Sequence, residues 1–120
     1  MIEEVIVDLL QDNGFKVYPD SVPIVGGAYP CVVYQRISTP QIRTHAGNAL
    51  QYPRFQFSCY GKGETGKSDA LVTAQALKAL LDLNQTDFIL ATKEGELDIE
   101  EIEPLMFRRI LDFYIWSDAE

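Results

Sequence analysis

The stretch that decides the fold is residues 52–68, which reads Tyr-Pro-Arg-Phe-Gln-Phe-Ser-Cys-Tyr-Gly-Lys-Gly-Glu-Thr-Gly-Lys-Ser. In its first half, apolar residues at Phe55, Phe57 and Cys59 alternate with polar ones. This alternation is typical of an antiparallel strand that has one face in the core and one in water. The second half, residues 61–68, is rich in glycine and leads into a helical pattern. A strand, a glycine-rich junction and a helix are therefore the starting point for the rest of the chain.

The junction matches the phosphate-binding loop pattern of a glycine, four spacers and Gly-Lys-Ser. In such a loop, backbone N–H groups surround the phosphates, and the following helix contributes the positive end of its dipole. Lys67 would reach the outer phosphates and Ser68 would hold magnesium, with Gly61 and Gly66 as the loop glycines. A nucleotide-binding protein that uses residues 61–68 is therefore one interpretation of the chain.

Two features of the sequence argue against a nucleotide site. The strand that feeds a phosphate-binding loop lies inside a parallel sheet and is a continuous apolar run, whereas residues 54–60 alternate. A nucleotide hydrolase also needs an acidic magnesium ligand at the end of a second apolar strand. The best candidate, Asp112, follows only Ile110 and Leu111, and the strand pattern continues past it. We therefore interpret residues 61–68 as a turn that ends a strand and caps a helix, and retain the nucleotide site as the alternative.

Length and composition predict a single globular domain over residues 1–120. The hydrophobic fraction of 47% and the charged fraction of 23% are ordinary, and the formal net charge is −8. An excess of acidic side chains disfavours a protein that grips nucleic acid, since such proteins present basic patches to phosphates. No run is long and apolar enough to span a bilayer, and Glu3 and Glu4 stand where a secretory signal would be basic. We expect a protein that has no membrane partner and stays inside the cell that makes it.

Hydrophobic periodicity predicts the order helix, strands, helix, strands. The predicted elements are a helix over 2–11, a short extended piece over 15–18, strands over 30–38 and 52–60, a helix over 68–82, a hairpin of 88–92 with 97–102 turning at 93–96, and a last strand over 107–116. A long, polar, mobile connection is predicted over 39–51, because Pro40, Gly47 and Asn48 interrupt it. The pattern predicts an α+β fold, in which an antiparallel or mixed sheet carries the N-terminal helix and a second helix on one face.

The histidine, the cysteines and the acidic residues are not grouped in the sequence in the pattern of a catalytic or metal-binding site. His45 is the only histidine and falls in the polar connection, so we interpret it as a solvated side chain. Cys31 and Cys59 fall in strand patterns and are interpreted as small buried side chains. The acidic residues within 98–103 could bind a cation, but they alternate with apolar residues and are more simply the wet face of a strand. We predict no enzyme activity, no metal and no cofactor.

Tyr114 and Trp116 are predicted to lie on the face of the last strand opposite the core, because Leu111, Phe113 and Ile115 occupy the alternate positions. Aromatic side chains outside a core are enriched at protein–protein contacts. The other interpretation is a second core layer beneath a loop or the first helix. The sequence does not separate these two interpretations.

Three strand patterns and the junction together carry a resemblance. Residues 29–38 read Tyr-Pro-Cys-Val-Val-Tyr-Gln-Arg-Ile-Ser, and a polar loop separates them from the strand at 52–60. The Gly/Lys/Ser junction and an alanine-rich helix follow, and residues 108–116, Arg-Arg-Ile-Leu-Asp-Phe-Tyr-Ile-Trp, close the pattern. This arrangement resembles the tail-completion proteins of long-tailed phages and prophages, also called tail terminators or head-to-tail joining proteins. In that family a Lys/Ser-containing junction stands at the position of residues 60–70.

The resemblance implies a structural virion protein of the tail, assembled in the host cytoplasm, that caps the tail tube and joins it to the head connector. Such proteins act as a ring, commonly a hexamer. Their partners are other copies of the same chain, the tail tube protein and the head–tail connector protein, while DNA only passes through the lumen. The expected contact residues lie on the polar connection and the last strand: Thr39, Gln41, Arg43, His45, Asn48, Tyr114 and Trp116. A regulatory or toxin-neutralising binding module would share the acidic charge and is a further class of interpretation.

Overall fold

A computed structural model describes residues 2–19, 29–38, 41–43, 49–83, 90–101 and 106–118 of the chain. The helices are α1 (Ile2–Asp12) and α2 (Gly66–Leu81). The strands are β1 (Val17–Pro19), β2 (Cys31–Ser38), β3 (Gln41–Arg43), β4 (Ala49–Gln51), β5 (Arg54–Lys62), β6 (Leu90–Glu101) and β7 (Met106–Asp118). The order of elements agrees with the predicted helix, strands, helix, strands.

Five of the strands form the main sheet in the order β1-β2-β5-β7-β6. β1 is parallel to β2, and the other neighbours in this sheet are antiparallel. β5 is central, so that Phe57 pairs with Tyr34 of β2 on one side and with Leu111 of β7 on the other. This mixed sheet with both helices packed against it confirms the predicted α+β fold.

The sheet face that carries the helices is the core of the protein. The alternate residues Phe55, Phe57 and Cys59 of β5 are fully buried there, as their spacing predicts. Each helix covers them with one apolar stripe. The stripes consist of Ile2, Ile6 and Leu10 in α1 and of Ala70, Ala74, Leu77 and Leu81 in α2. Burying one large apolar side chain is worth about 1.5–3 kcal/mol, so this layer supplies most of the stability.

A second pair of strands continues the line of β2 and β5 away from the helix-covered layer. β4 keeps the register of β5 against β7, since Gln51 pairs with Ser117 and Arg54 pairs with Tyr114. β3 in turn pairs with β4. We call β3 and β4 the hairpin arm. The arm and the main sheet share β7 and are therefore parts of one continuous layer.

The hairpin arm corrects the prediction of an unstructured connection over 39–51. Two three-residue strands form within that stretch. Proline and glycine suggested a loop, but the end of β7 offers backbone partners to β4, and this long-range pairing overrides the local pattern. At the break between β4 and β5, the Ile115 N–H donates to the Pro53 carbonyl at 3.0 Å. Pro53 thus occupies a position where the strand uses its carbonyl and needs no N–H.

β6 is a single strand, which corrects the predicted hairpin of 88–92 with 97–102. It pairs with β7 from Leu90 to Glu101, and Glu94 has no partner in the register. The register shifts between Lys93 and Gly95, so a β-bulge stands where a turn was predicted. A glycine flanked by charged residues resembles a turn in sequence, but the same residue inside a strand marks a bulge.

The molecule is elongated, with extents of 54 × 25 × 22 Å. β7 accounts for much of this length, because its 13 residues pair first with β5 and then, at their end, with β4. The helix-covered layer and the hairpin arm are therefore arranged along the direction of β7.

Candidate functional site

The glycine-rich junction is closed at its base by a contact between two glycine backbones. A Cβ added to Gly61 would overlap the Gly66 carbonyl oxygen, and one added to Gly66 would lie 2.9 Å from the Gly61 carbonyl carbon. A side chain at either position would force the two backbones apart, so both positions require glycine for packing. The Gly66 N–H donates to the Gly63 carbonyl at 3.1 Å, and Ser68 is exposed in the first turn of α2. The junction is thus a compact connection from β5 to α2.

The surroundings of the junction also favour a turn over a phosphate site. The Lys67 amine lies 5.9 Å from the centre of the Phe107 ring on β7. The Thr65 hydroxyl, just before α2, donates to the Asp69 carboxylate at 3.0 Å. Both neighbours of β5 are antiparallel, whereas a phosphate-binding loop follows a strand of a parallel sheet. The geometry of residues 61–68 therefore supports the turn, and the nucleotide site stays a prediction to be tested.

The sheet face opposite the helices, which we call the outer face, carries the predicted aromatic residues. Tyr114 and Trp116 lie there half-buried, while the alternate residues of β7 face the core. Tyr52 stacks on Trp116 with ring centres 4.4 Å apart and an interplanar angle of 16°. The ring centres of Tyr52 and Tyr114 are 5.8 Å apart. The three rings form one aromatic group beside the hairpin arm, and their role in binding stays a prediction.

The other end of the outer face carries two cations that contact two tyrosines. We call Tyr29, Tyr60, Lys62 and Arg108 the cation–tyrosine cluster. The Lys62 amine lies 5.5 Å from the Tyr29 ring centre, and the Arg108 guanidinium lies 5.6 Å from that of Tyr60. Arg108 also donates to the Tyr60 hydroxyl at 3.0 Å, and the two rings meet edge to face at 6.5 Å. Burial raises the pKa of Tyr29, so its phenol stays neutral. Cation–ring contacts of this kind contribute about 0.5–1 kcal/mol each at exposed sites.

The charges of the outer face are balanced in its middle and positive at the cluster. Arg54 donates to Asp112 at 2.9 Å, and this hydrogen bond raises the pKa of Arg54. Asp112, considered above as a magnesium ligand, is therefore half of a neutral pair. Among the side chains that the structure describes, Lys62 and Arg108 form no ion pair. The cation–tyrosine cluster brings these two cations together on a protein that is acidic as a whole.

Among the acidic residues within 98–103 that were considered above as a cation site, Asp98 has a described side chain, and it is paired with a basic residue. Arg109 donates to Asp98 in two hydrogen bonds of 2.6 and 3.0 Å. Glu96 lies 2.7 Å from Lys78 of α2 and 3.0 Å from Lys93. These hydrogen bonds lower the pKa of Asp98 and of Glu96. The described residues contain no group of three or more His, Cys, Asp or Glu side chains that could hold a metal ion. These carboxylates therefore tie β6 to β7 and to α2.

Cys31 and Cys59 are buried free thiols, which confirms their interpretation as small buried side chains. Cys31 pairs with Tyr60 and Cys59 pairs with Val32 on adjacent strands, so the two cysteine side chains lie on opposite faces of the sheet. Burial raises the pKa of Cys31 to about 11 and that of Cys59 to about 12. Both residues stay protonated near neutral pH and are poor nucleophiles.

Two of the contact residues predicted on the polar connection lie on the hairpin arm. Gln41 and Arg43 are the ends of β3. The other three, Thr39, His45 and Asn48, lie outside the described residues. β7 pairs with β4 of the arm and also carries the two predicted aromatic residues, so a single strand connects both parts of the predicted surface.

The cation–tyrosine cluster was not identified from the sequence. Tyr60 and Arg108 stand at polar positions of their strands, which predicts their face but not their contact. They come together because β5 pairs with β7 in a register that places them opposite each other. A single sequence does not specify that register. The signal it offered was that Tyr60 and Arg108 both fall at polar positions of alternating strands.

None of the described helices is long and apolar enough to cross a membrane. No protein-family model matches the chain, and no curated protein is similar enough to be matched with it. The candidate functional site is therefore interpreted from its own residues, as an aromatic and cationic sheet face that continues into a β-arm.

Proposed function

We propose that this protein is a structural component of a phage tail that caps the tail tube and joins it to the head connector as a ring of identical copies, commonly six. The three stretches that resemble tail-completion proteins support the proposal through their arrangement. Residues 29–38, 52–60 and 108–116 include most of β2, β5 and β7, which are adjacent in the sheet. They therefore belong to one surface and are not scattered over the molecule.

The observation that carries the proposal is the hairpin arm at one end of the sheet. It is attached through β7, and the Gln51 side chain, which is 2% exposed, donates to the Ser117 hydroxyl at 3.1 Å. An element held at its base in this way presents its far end to a partner while the core stays intact. A protein that joins a tube to a connector needs such contacts away from its core.

Ring formation follows from the kind of interface that a cap requires. A contact between two different surfaces of the same chain repeats from copy to copy, and it stops growing only if the rotation closes into a ring. A closed ring at the end of a tube leaves no site for a further tube subunit. The function then depends on the geometry of surfaces, with DNA passing through the lumen.

Removal of the hairpin arm tests the proposal. In a variant with residues 39–50 replaced by a short Asn-Gly turn, heads and tails should fail to join, while the thermal transition of the core remains. Joining is measured as infectious particles formed from extracts that lack only this protein. Val72→Ala, on the exposed side of α2, is the matched control and should join heads and tails normally. Normal joining by the shortened variant would refute the proposal.

A thermal melt separates this proposal from the nucleotide alternative. A ligand present at about a hundredfold its dissociation constant stabilises a protein by roughly 2.7 kcal/mol. For a domain of this size the melting temperature would rise by several degrees. We expect no rise with magnesium and ATP or GTP, and the same result for Lys67→Ala. A rise in the wild type that Lys67→Ala abolishes would favour the nucleotide site.

A further inference from the structure

We propose that the cation–tyrosine cluster on the outer face binds the acidic surface of α1 on an adjacent copy of the same chain. The proposal rests on the proposed function in that a ring requires copies to associate, and it names the two surfaces that meet. It is based on the composition of the cluster, on the charges of α1, and on the positions of both in the fold.

The cluster has the composition and the exposure of a contact surface. Lys62 is exposed, and Tyr29, Tyr60 and Arg108 beside it are half-buried. Leu97, which pairs with Ile110 on the same face, is 59% exposed. Tyrosine and arginine are enriched at the centres of protein interfaces, where apolar area and hydrogen bonding are combined. The outer face thus offers a positively charged surface with an apolar margin.

The acidic surface is a stripe of three exposed carboxylates on α1. Glu4, Asp8 and Asp12 recur every four residues, so they lie on one side of the helix. Like charges at this spacing destabilise a helix by about 0.2–0.5 kcal/mol per pair. The first 12 residues contain four acidic side chains and no lysine or arginine. Cations of a second copy would offset the repulsion between Asp8 and Asp12.

A concave site lies beside the stripe. The groove has a volume of about 340 Å³ and is lined by Glu3, Glu4, Val7, Asp8 and Tyr34. Glu3 already pairs with Arg36 of β2 at 2.6 Å, which fixes one wall of the groove. A long cationic side chain can place its stem against the apolar part of such a groove and its charge among the carboxylates.

The two surfaces lie on opposite sides of the molecule, since α1 packs on the core face and the cluster lies on the outer face. They cannot meet within one chain, whereas they can meet between copies in a repeating contact of unlike surfaces. Such a contact produces a ring when the rotation closes. A nucleic acid is a poorer occupant, because a net charge of −8 opposes binding to phosphates.

Charge reversal on each surface tests the pairing. Variant one carries Lys62→Glu, and variant two carries Asp8→Lys and Asp12→Lys. Self-association of each variant alone, measured by sedimentation velocity and native mass spectrometry, should weaken by about tenfold or more relative to wild type. An equal mixture should associate again, because the reversed surfaces are complementary to each other. Lys67→Glu, on the core side of the sheet, is the control for the change in net charge and should leave self-association unchanged.

Three results would overturn the proposal. One is a wild-type protein that stays monomeric up to its solubility limit. Another is a mixture of the two variants that associates no better than either variant alone. The third is anisotropy of a labelled single-stranded oligonucleotide that rises with wild type and not with variant one, which would assign the cluster to nucleic acid. Head–tail joining by the same variants is scored separately. Joining by variants that no longer self-associate would reject the ring of the proposed function and support the pairing itself.

Discussion

The two faces of the sheet differ although the same strands build both. On β7, Leu111, Phe113 and Ile115 are fully buried against the helices, while Tyr114 and Trp116 between them are half-buried on the outer face. The core face is held by apolar area removed from water. The outer face buries fewer large apolar side chains, among them Val33 and Ile110, and adds ring stacking, cation–ring contacts and an ion pair, which contribute less each. The core face therefore contributes most to stability, and the aromatic and charged residues of the outer face can be altered with smaller losses.

The largest effect is expected on the core face. Phe57→Ala removes a fully buried ring at the centre of the sheet and should reduce the free energy of unfolding by about 3–5 kcal/mol. Urea denaturation followed by circular dichroism measures this loss. Phe57→Leu retains most of the apolar volume and should lose clearly less. A loss below 1 kcal/mol for Phe57→Ala, roughly the value of one surface contact, would remove the distinction between the faces.

The next effect is expected where the sheet connects to the helix layer. Gly61→Ala places a methyl group against the backbone of Gly66, which is not a flexible side chain that can move aside. Overpacking of this kind costs about 1–3 kcal/mol. Gly63→Ala is the matched control: no atom lies within 4 Å of its added Cβ, and only its φ of +84° opposes the change. Urea denaturation should show a larger loss for Gly61→Ala than for Gly63→Ala, and the reverse order would contradict the close contact.

A smaller effect is expected on the outer face. Trp116→Ala removes the ring that stacks on Tyr52, and an aromatic pair contributes about 0.5–1.5 kcal/mol beyond its buried area. The free energy of unfolding should therefore fall by much less than for Phe57→Ala, and Trp116→Phe should recover part of the loss. Under the proposed function, head–tail joining should fall more than stability does. Equal losses for Trp116→Ala and Phe57→Ala would mean that the outer face is a second core layer.

The smallest effect is expected at the Asp98–Arg109 pair, and it depends on pH. The folded-state pKa of Asp98 lies below its ordinary value, so the pair stabilises above that ordinary value and loses its effect as the pH falls through the folded-state pKa. The Asp98 side chain is 46% exposed, so Asp98→Asn should lose less than about 1 kcal/mol at neutral pH. Urea denaturation of both proteins should give converging stabilities in acid. A difference that persists in acid would point to a contact other than the charge.

The periodicity of single strands was enough to predict the two faces, but not the contacts across them. Alternation in β5 and β7 correctly placed Phe57 in the core and Trp116 opposite it, because side-chain direction follows from strand geometry alone. The stacking of Tyr52 on Trp116 depends on the register between distant strands, which tertiary packing determines. The predicted turn at Gly95 was wrong for the same reason. A glycine is compatible with a turn and with a bulge, and the pairing of the strand that contains it decides between them. The interface roles of Tyr114, Trp116 and the arm residues stay predictions.

The bulge in β6 has a consequence for how copies of this chain can assemble. In the described sheet β6 pairs only with β7, so its other edge has no strand partner there. A long unpaired edge is a template to which strands of other molecules can add. The register break at Gly95 distorts the hydrogen-bonding line of that edge, and Lys93, Glu96 and Asp98 place charges along it. Both features discourage strand addition. Growth by endless extension of the sheet, as in a fibril, is thereby disfavoured, and contacts through faces remain the route to an assembly of finite size.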